Sequence, residues 1–239
     1  DYISGAVWQF SQFGSGNFPG GDGQADALWN GMYALINRAN IAIFEINKLK
    51  NVTEAHRRNV LGECYFMKAW AYFYLVRAYG AVPVYSVSVN ESGQYTNSPR
   101  VPIEQVYTET IIPLLKEAKD MIYKNTDSNF KPGRICAATA AGLLAKVYAT
   151  IGSASMQKGE SITVKTGVPF VLQNVNGTMT KVYTEPVPTI FAKDQVAGYE
   201  KFSSNEYYSF AYQIAGDIIR GLYGNHKLES YDLIWSSSG

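Results

Sequence analysis

The stretch from Thr53 to Tyr85, TEAHRRNVLGECYFMKAWAYFYLVRAYGAVPVY, limits the fold more than any other part of the chain. Val60, Cys64, Met67, Ala71, Tyr74, Leu75 and Ala78 recur at helical spacing and make one apolar stripe. Phe66, Trp70 and Phe73 make a second stripe on another face, and between Cys64 and Tyr79 the only charges are Lys68 and Arg77. A surface helix needs one apolar face, whereas this one needs neighbours on at least two sides. Thr53 can cap its start, and Gly80 followed by Pro83 can stop it. The chain is therefore expected to build a helical stack around this segment.

The flanking sequence supplies partners for that stack. From Asp26, a plausible N-cap, a helix is expected to about Lys50, with Trp29, Met32, Tyr33 and Ile36 on one face and Ile43 and Ile46 extending it. A short turn at Asn51 would fold it back on the central helix. Ala71, Leu75, Ala78 and Pro83 keep the spacing of a tetratricopeptide helix B, and Ala141, Ala145 and Tyr148 repeat it more weakly. A third helix starts near Pro102 and carries Val106, Ile111, Leu115, Ala118 and Ile122. Pro113 falls inside it, so a kink or break is expected near Ile111. A fourth, alanine-rich helix runs from Cys136 to about Ser153. Asn176-Gly177, between PFVLQNV and TMTKVYT, is a strong hairpin signal; ITVK before it is a candidate third strand. A fifth helix spans about 204–222, with Ala211, Ala215 and Ile218 facing the stack. The expected fold is thus mainly α: a tetratricopeptide-like helical-repeat stack with long loops and a small β-hairpin insertion. It reads as one domain, with an irregular segment at 1–28, the stack at 29–155, the insertion at 156–202, and a helix and return at 203–239.

Charge narrows the function. Lys plus Arg number 21 against 20 Asp plus Glu, so no net field steers the chain onto nucleic acid or acidic lipid. No run of 18 apolar residues is present to span a membrane. The chain opens at Asp1 and stops at SSSG, and both ends read as trimmed. Cys64 and Cys136 sit in apolar helical contexts and read as buried free thiols, with a disulfide the alternative. Together with His56 and His226 they give no zinc-ligand spacing, and no metal or cofactor is expected.

Catalytic sets are absent: the chain has no nucleophile elbow, phosphate loop or HExxH. Glu63 is the acid in the most apolar setting. With no second acid on its face it reads as structural, with Lys68 or Arg77 as its cation. Asp22 and Asp26 in GGDGQAD lack the later ligands of a calcium loop. The chain is not expected to be an enzyme. Aromatic residues make up 14%, including 18 Tyr. They either fill helix seams or offer faces for sugar rings, apolar on the plane and wet at the hydroxyl. The glycine-rich 1–28 segment concentrates the candidates. Trp8 is the expected stacking platform, Phe10 or Phe13 lies beside it, and Asp22 with Gln9, Gln12 and Asn17 is available for ring hydroxyls. The alternative is that these rings pin the segment onto the first helix.

The run GECYFMKAWAYFYLVRAYGAVPVY resembles the signature helix of the SusD/RagB proteins, surface lipoproteins that capture glycans for gut-type Gram-negative bacteria. The chain has Cys64, Lys68 and Tyr79 where members usually carry Ala, Arg and Phe. The resemblance continues over 29–46, 106–118, 133–152 and 207–235, and about half of a member's usual length is absent. It implies a nutrient-binding protein that passes oligosaccharide to a SusC-like TonB-dependent transporter, tethered to the outer membrane by an acylated Cys outside this sequence. It also implies a glycan contact ahead of the first long helix, where Trp8 lies. The competing reading is a helical-repeat scaffold for another protein, with no sugar involved.

Overall fold

A computed structural model describes residues 23–88, 98–165 and 170–227, with side chains from residue 26 onward. Among these residues the architecture is mainly α. The chain divides into two compact units, residues 1–147 with 211–239, and residues 148–210.

The first unit is built on the expected hairpin. Helix α1 (Gly23–Lys48) packs against helix α2 (Glu54–Tyr79), the segment that dominates the sequence. Thr53 caps α2 by accepting from the His56 backbone N–H at 3.3 Å. Gly80 ends it at φ 71°, a conformation that costs a side chain and not a glycine. Arg57, on the first turn of α2, donates to the carbonyls of Ile46 and Leu49 (2.5 Å for the latter) and so closes the C-terminus of α1.

Helix α3 (103–121) covers the other side of α2, from Phe73 against Tyr107 to Gly62 against Met121 and Ile122. It begins at Ile103–Gln105, passes through a π-helical turn at Val106–Ile111, and continues as α-helix through Ile112–Met121. The π turn is the outcome of Pro113. An interior proline has no N–H to give, and its ring meets the carbonyl four residues back. Widening the preceding turn, so that the Ile112 N–H bonds Tyr107, absorbs this without breaking the helix. The expected disturbance near Ile111 is therefore a change of helix type.

Helix α2 is buried on two sides, but the faces differ from the expected stripes. Leu61, Phe66, Ala69, Tyr72, Phe73 and Val76 are buried together with Ala71 and Leu75. Val60, Cys64 and Met67 are half-buried, Tyr74 and Ala78 are exposed, and Trp70 is half-buried against Tyr74 at 4.7 Å. Lys68, a charge within the helix, is buried. Helix α4 (Ala137–Ala154) turns its small residues inward, with Ala137, Ala140, Ala141, Leu144 and Val147 buried. Cys64 and Cys136 are free thiols.

The second unit holds the end of α4, the short strands found among the described residues and the start of helix α5 (Ser204–Ile219). Its core is aromatic. Tyr148 meets Tyr207 and Phe210 with ring centroids 5.9 and 5.3 Å apart, and Phe202 lies 5.1 Å from Tyr207. Strand β1 (Ser161–Lys165) carries the ITVK run. The expected hairpin forms next, β2 (Phe170–Val175) antiparallel to β3 (Thr178–Tyr183), with Asn176 and Gly177 at φ 53° and 86°. Strand β1 does not join it. It pairs instead with β4 (Pro188–Ala192), a strand hidden in the sequence by Pro186 and Pro188. Pro188 sits at the strand's first residue, where a missing N–H is tolerated.

Candidate functional site

Trp8, Phe10, Phe13 and Asp22 lie outside the described residues. The site is therefore built from what the segment joins, the start of α1 beside the end of α2.

The two helices are antiparallel, so Trp29 and Tyr33 of α1 come opposite Tyr79 and the chain that follows Gly80. Trp29 packs on Tyr33 at 4.8 Å and edge-on to Tyr79 at 5.1 Å. Tyr33 meets Tyr85 edge-on at 5.7 Å, and its hydroxyl donates to the Pro83 carbonyl at 2.8 Å. All four rings are half-buried. Burial first, then neighbouring Tyr72 and Tyr85, raises the Tyr33 phenol well above its ordinary value; burial also raises Tyr79. Both therefore stay neutral, and the Tyr33 hydroxyl keeps the proton it donates to Pro83. A bridge between Val82 and Val101 returns the chain to this end and brings the Arg100 guanidinium 5.4 Å from the Trp29 ring. Arg100 also donates to the Ala81 carbonyl at 2.6 Å.

What holds residues 83–88 in place is a buried polar network that the sequence pattern does not announce. The Lys68 ammonium donates to Asn40 Oδ1 at 2.8 Å and to the Ser86 carbonyl at 3.4 Å. The Asn40 amide in turn donates to the carbonyls of Val87 (2.9 Å) and Tyr85 (3.3 Å). The Tyr72 hydroxyl accepts from the Tyr85 N–H at 2.8 Å. A cation inside an apolar helix is costly unless its protons are matched, and here the Asn40 side-chain oxygen and the Ser86 carbonyl are among their acceptors. Asn40 and Tyr72 thus hold Tyr85, with Lys68 bonded to Asn40 and to the neighbouring Ser86. The one legible clue is a charge in the middle of a largely apolar run.

Glu63 finds neither of its expected cations. Lys68 is committed to the network, and Arg77 lies over the Phe73 and Tyr74 rings (4.1 and 4.9 Å) and donates to the Phe73 carbonyl. The partner is Arg134, which forks onto both carboxylate oxygens, Nε to Oε1 at 3.1 Å and Nη2 to Oε2. Asn59 adds a third bond to Oε1 at 3.0 Å while accepting from the Tyr123 N–H at 2.8 Å. Next to it, Gly62 leaves room for Ile122: a Cβ there would sit 2.7 Å from Ile122 Cγ1. The Gly-Glu pair of the motif is therefore structural, the glycine for approach and the acid to tie residues 123–136 onto α2. Among the described residues no group of three His, Cys, Asp or Glu could hold a metal ion, and no helix is long and apolar enough to cross a membrane.

Comparison with known proteins agrees with this architecture. Residues 6–149 match the profile of the SusD-like_3 family, described as starch-binding and associating with outer membrane. A SusD-like protein P2 of Formosa agariphila is 36% identical over 138 residues, 57% of this chain and 26% of that protein. A SusD-like protein of Bacteroides ovatus is 29% identical over 145 residues, 59% of this chain and 25% of its own length. The chain thus matches about a quarter of each of these curated relatives. Two solved structures share the fold over nearly all of the chain. A protein crystallised with xylogluco-oligosaccharide matches 96% of this chain and 36% of its own at TM-score 0.63 and 20% identity. A SusD homolog from Bacteroides thetaiotaomicron matches 91% and 33% at TM-score 0.63 and 22% identity. The family match covers more than half of the chain, and the central Gly-Glu helix lies within it: this chain belongs to the SusD-like_3 family.

Proposed function

We propose that this chain is part of a cell-surface protein that captures oligosaccharide by stacking and hydrogen bonding, without making or breaking bonds. The observation that carries the reading is the aromatic wall of Trp29, Tyr33, Tyr79 and Tyr85 beside Arg100. It lies at the end of α1 that the 1–22 segment joins. A pyranose ring presents an apolar face of C–H groups, and half-buried aromatic rings suit it. Trp8 is the platform in this reading, Phe10 and Phe13 extend it, and Asp22 with Arg100 serves ring hydroxyls through charge-assisted bonds. The family description as starch-binding, and the fold-mate crystallised with xylogluco-oligosaccharide, support the same class of ligand.

Delivery follows from the resemblance. The captured glycan passes to a SusC-like TonB-dependent transporter, and a lipid anchor holds the protein at the outer-membrane surface. A glycan array probed with the full-length protein tests the ligand class, with selective retention of neutral oligosaccharides expected. An array without any retained glycan would favour the protein-scaffold reading. Solubilised native outer membrane tests the partner: the protein is expected to co-purify with a β-barrel, and its recovery alone would count against delivery.

A further inference from the structure

At the far end of α2, some 16 residues and roughly 24 Å of helix from Tyr79, the Glu63–Arg134 pair floors a cavity of about 730 Å³. That volume lies within the range of small-ligand pockets. Its walls come from the first turns of α2 and from residues 123–135.

The charged groups on the described lining of this cavity are net positive, Lys131 and Arg134 against Glu63. Glu63 is the one carboxylate among its described lining residues, and both its oxygens are taken by Arg134 and Asn59. Asn59 is engaged at both ends, its amide on Glu63 and its oxygen on the Tyr123 N–H. Several groups that can donate remain open. Lys131 has no acid partner among the described residues, the Tyr123 hydroxyl and His56 ring have no side-chain partner there, and Arg134 keeps its Nη1 edge. Two further groups fit a sugar in particular. Phe130 supplies a ring face, and the Asn129 amide, which donates to Asp127 at 3.2 Å, leaves its carbonyl oxygen for a ligand hydroxyl.

From this arrangement we infer that the cavity is a second saccharide site, specific for an acidic sugar whose carboxylate or sulfate lies between Lys131 and Arg134. A cavity whose one carboxylate is paired and whose Lys131 has no acid partner among the described residues favours an anion over a neutral ligand. The ring and the amide oxygen favour a pyranose over an acidic peptide. The choice of saccharide rests on the glycan-capture reading; the anion preference does not.

The test is calorimetry on the full-length protein at low salt, with digalacturonate, its methyl diester and an acidic peptide as probes. Wild-type protein is expected to bind digalacturonate at least tenfold more tightly than the diester, with affinity falling as salt rises. Lys131→Glu, at an exposed position, should abolish that preference, while Trp8→Ala leaves it intact. Equal affinity for acid and ester would overturn the inference, as would indifference to Lys131→Glu. Binding of the peptide alone would overturn the ligand class, and loss of digalacturonate binding in Trp8→Ala would merge the two sites into one. If neutral oligosaccharides fail to bind while digalacturonate still does, the second site stands and the first reading falls.

Discussion

Gly62→Ala is the substitution whose outcome the packing of the central helix decides. In an exposed helix interior, alanine is more favourable than glycine by about 1 kcal/mol. At Gly62 the new Cβ would lie 2.7 Å from Ile122 Cγ1, 2.9 Å from Met121 Cβ and 3.2 Å from the Ile122 backbone nitrogen. The last two are not flexible tips that can swing away, so the end of α3 must move off α2. Overpacking of this kind costs about 1–3 kcal/mol, and contact with a Cβ and a backbone atom puts it near the top of that range. The net expectation is a loss of about 2 kcal/mol. Gly31 on α1 and Gly142 on α4 are the controls, because a methyl group added at either would have nothing within 4 Å. Each should gain about 0.5–1 kcal/mol on substitution by alanine. Urea unfolding of the three variants measures the gap. A Gly62→Ala protein as stable as Gly31→Ala would refute the claim that the motif glycine exists for close approach.

Three more outcomes follow from the same contacts. Asn40→Ala removes one acceptor from the Lys68 ammonium and two bonds to residues 85–87, so stability should fall by about 1.5–3 kcal/mol; glycan affinity measured on the full-length protein should fall with it, since Tyr85 loses its support. Burial, and then Glu63, push the Cys64 thiol up from 9.0 to about 11. A raised thiol pKa means less thiolate at a given pH, about a hundredfold less at pH 8, so alkylation of Cys64 should keep accelerating up to about pH 11. Glu63→Gln should shift that midpoint downward, and a wild-type midpoint at the ordinary thiol value would contradict the burial argument. Ala71, fully buried in the α2 seam, should tolerate Glu far less than half-buried Trp70 tolerates Ala, the latter costing less than the about 3–5 kcal/mol of a fully buried Trp; comparison of their melting temperatures orders the two.

What is legible in the sequence is local. Thr53, Gly80 and Asn176-Gly177 act within a few residues of themselves, so their chemistry can be read without knowing the fold, and the cap, the stop and the turn all form there. The partner of Glu63 lies 71 residues away, on a segment with no periodicity, and nothing in α2 points to it. Lys68 and Arg77 are the expected cations, and each is held by something else: Lys68 by the Asn40 side chain and the Ser86 carbonyl, Arg77 by aromatic rings. The buried faces of α2 depart from the expected stripes for a related reason. A helix apolar on several sides shows that it is enclosed but not which residues meet which neighbour, and Tyr74 and Trp70 carry apolar rings onto the more open side. Strand β1 defeats pairing by proximity, which favours the adjacent hairpin, because its partner β4 lies beyond that hairpin. Pro113 is a disturbance that the sequence shows plainly; that a π turn absorbs it depends on α3 being held against α2 along its length.

The proposed glycan contact is aromatic stacking where the 1–22 segment meets α1. Calorimetry on the full-length protein, titrated with a neutral oligosaccharide retained on the array, tests it most directly through Trp8→Ala. Binding heat is expected to vanish in that variant while its melting temperature stays close to that of the wild type. Retained binding with a clear loss of stability would make Trp8 a packing residue and contradict the claim.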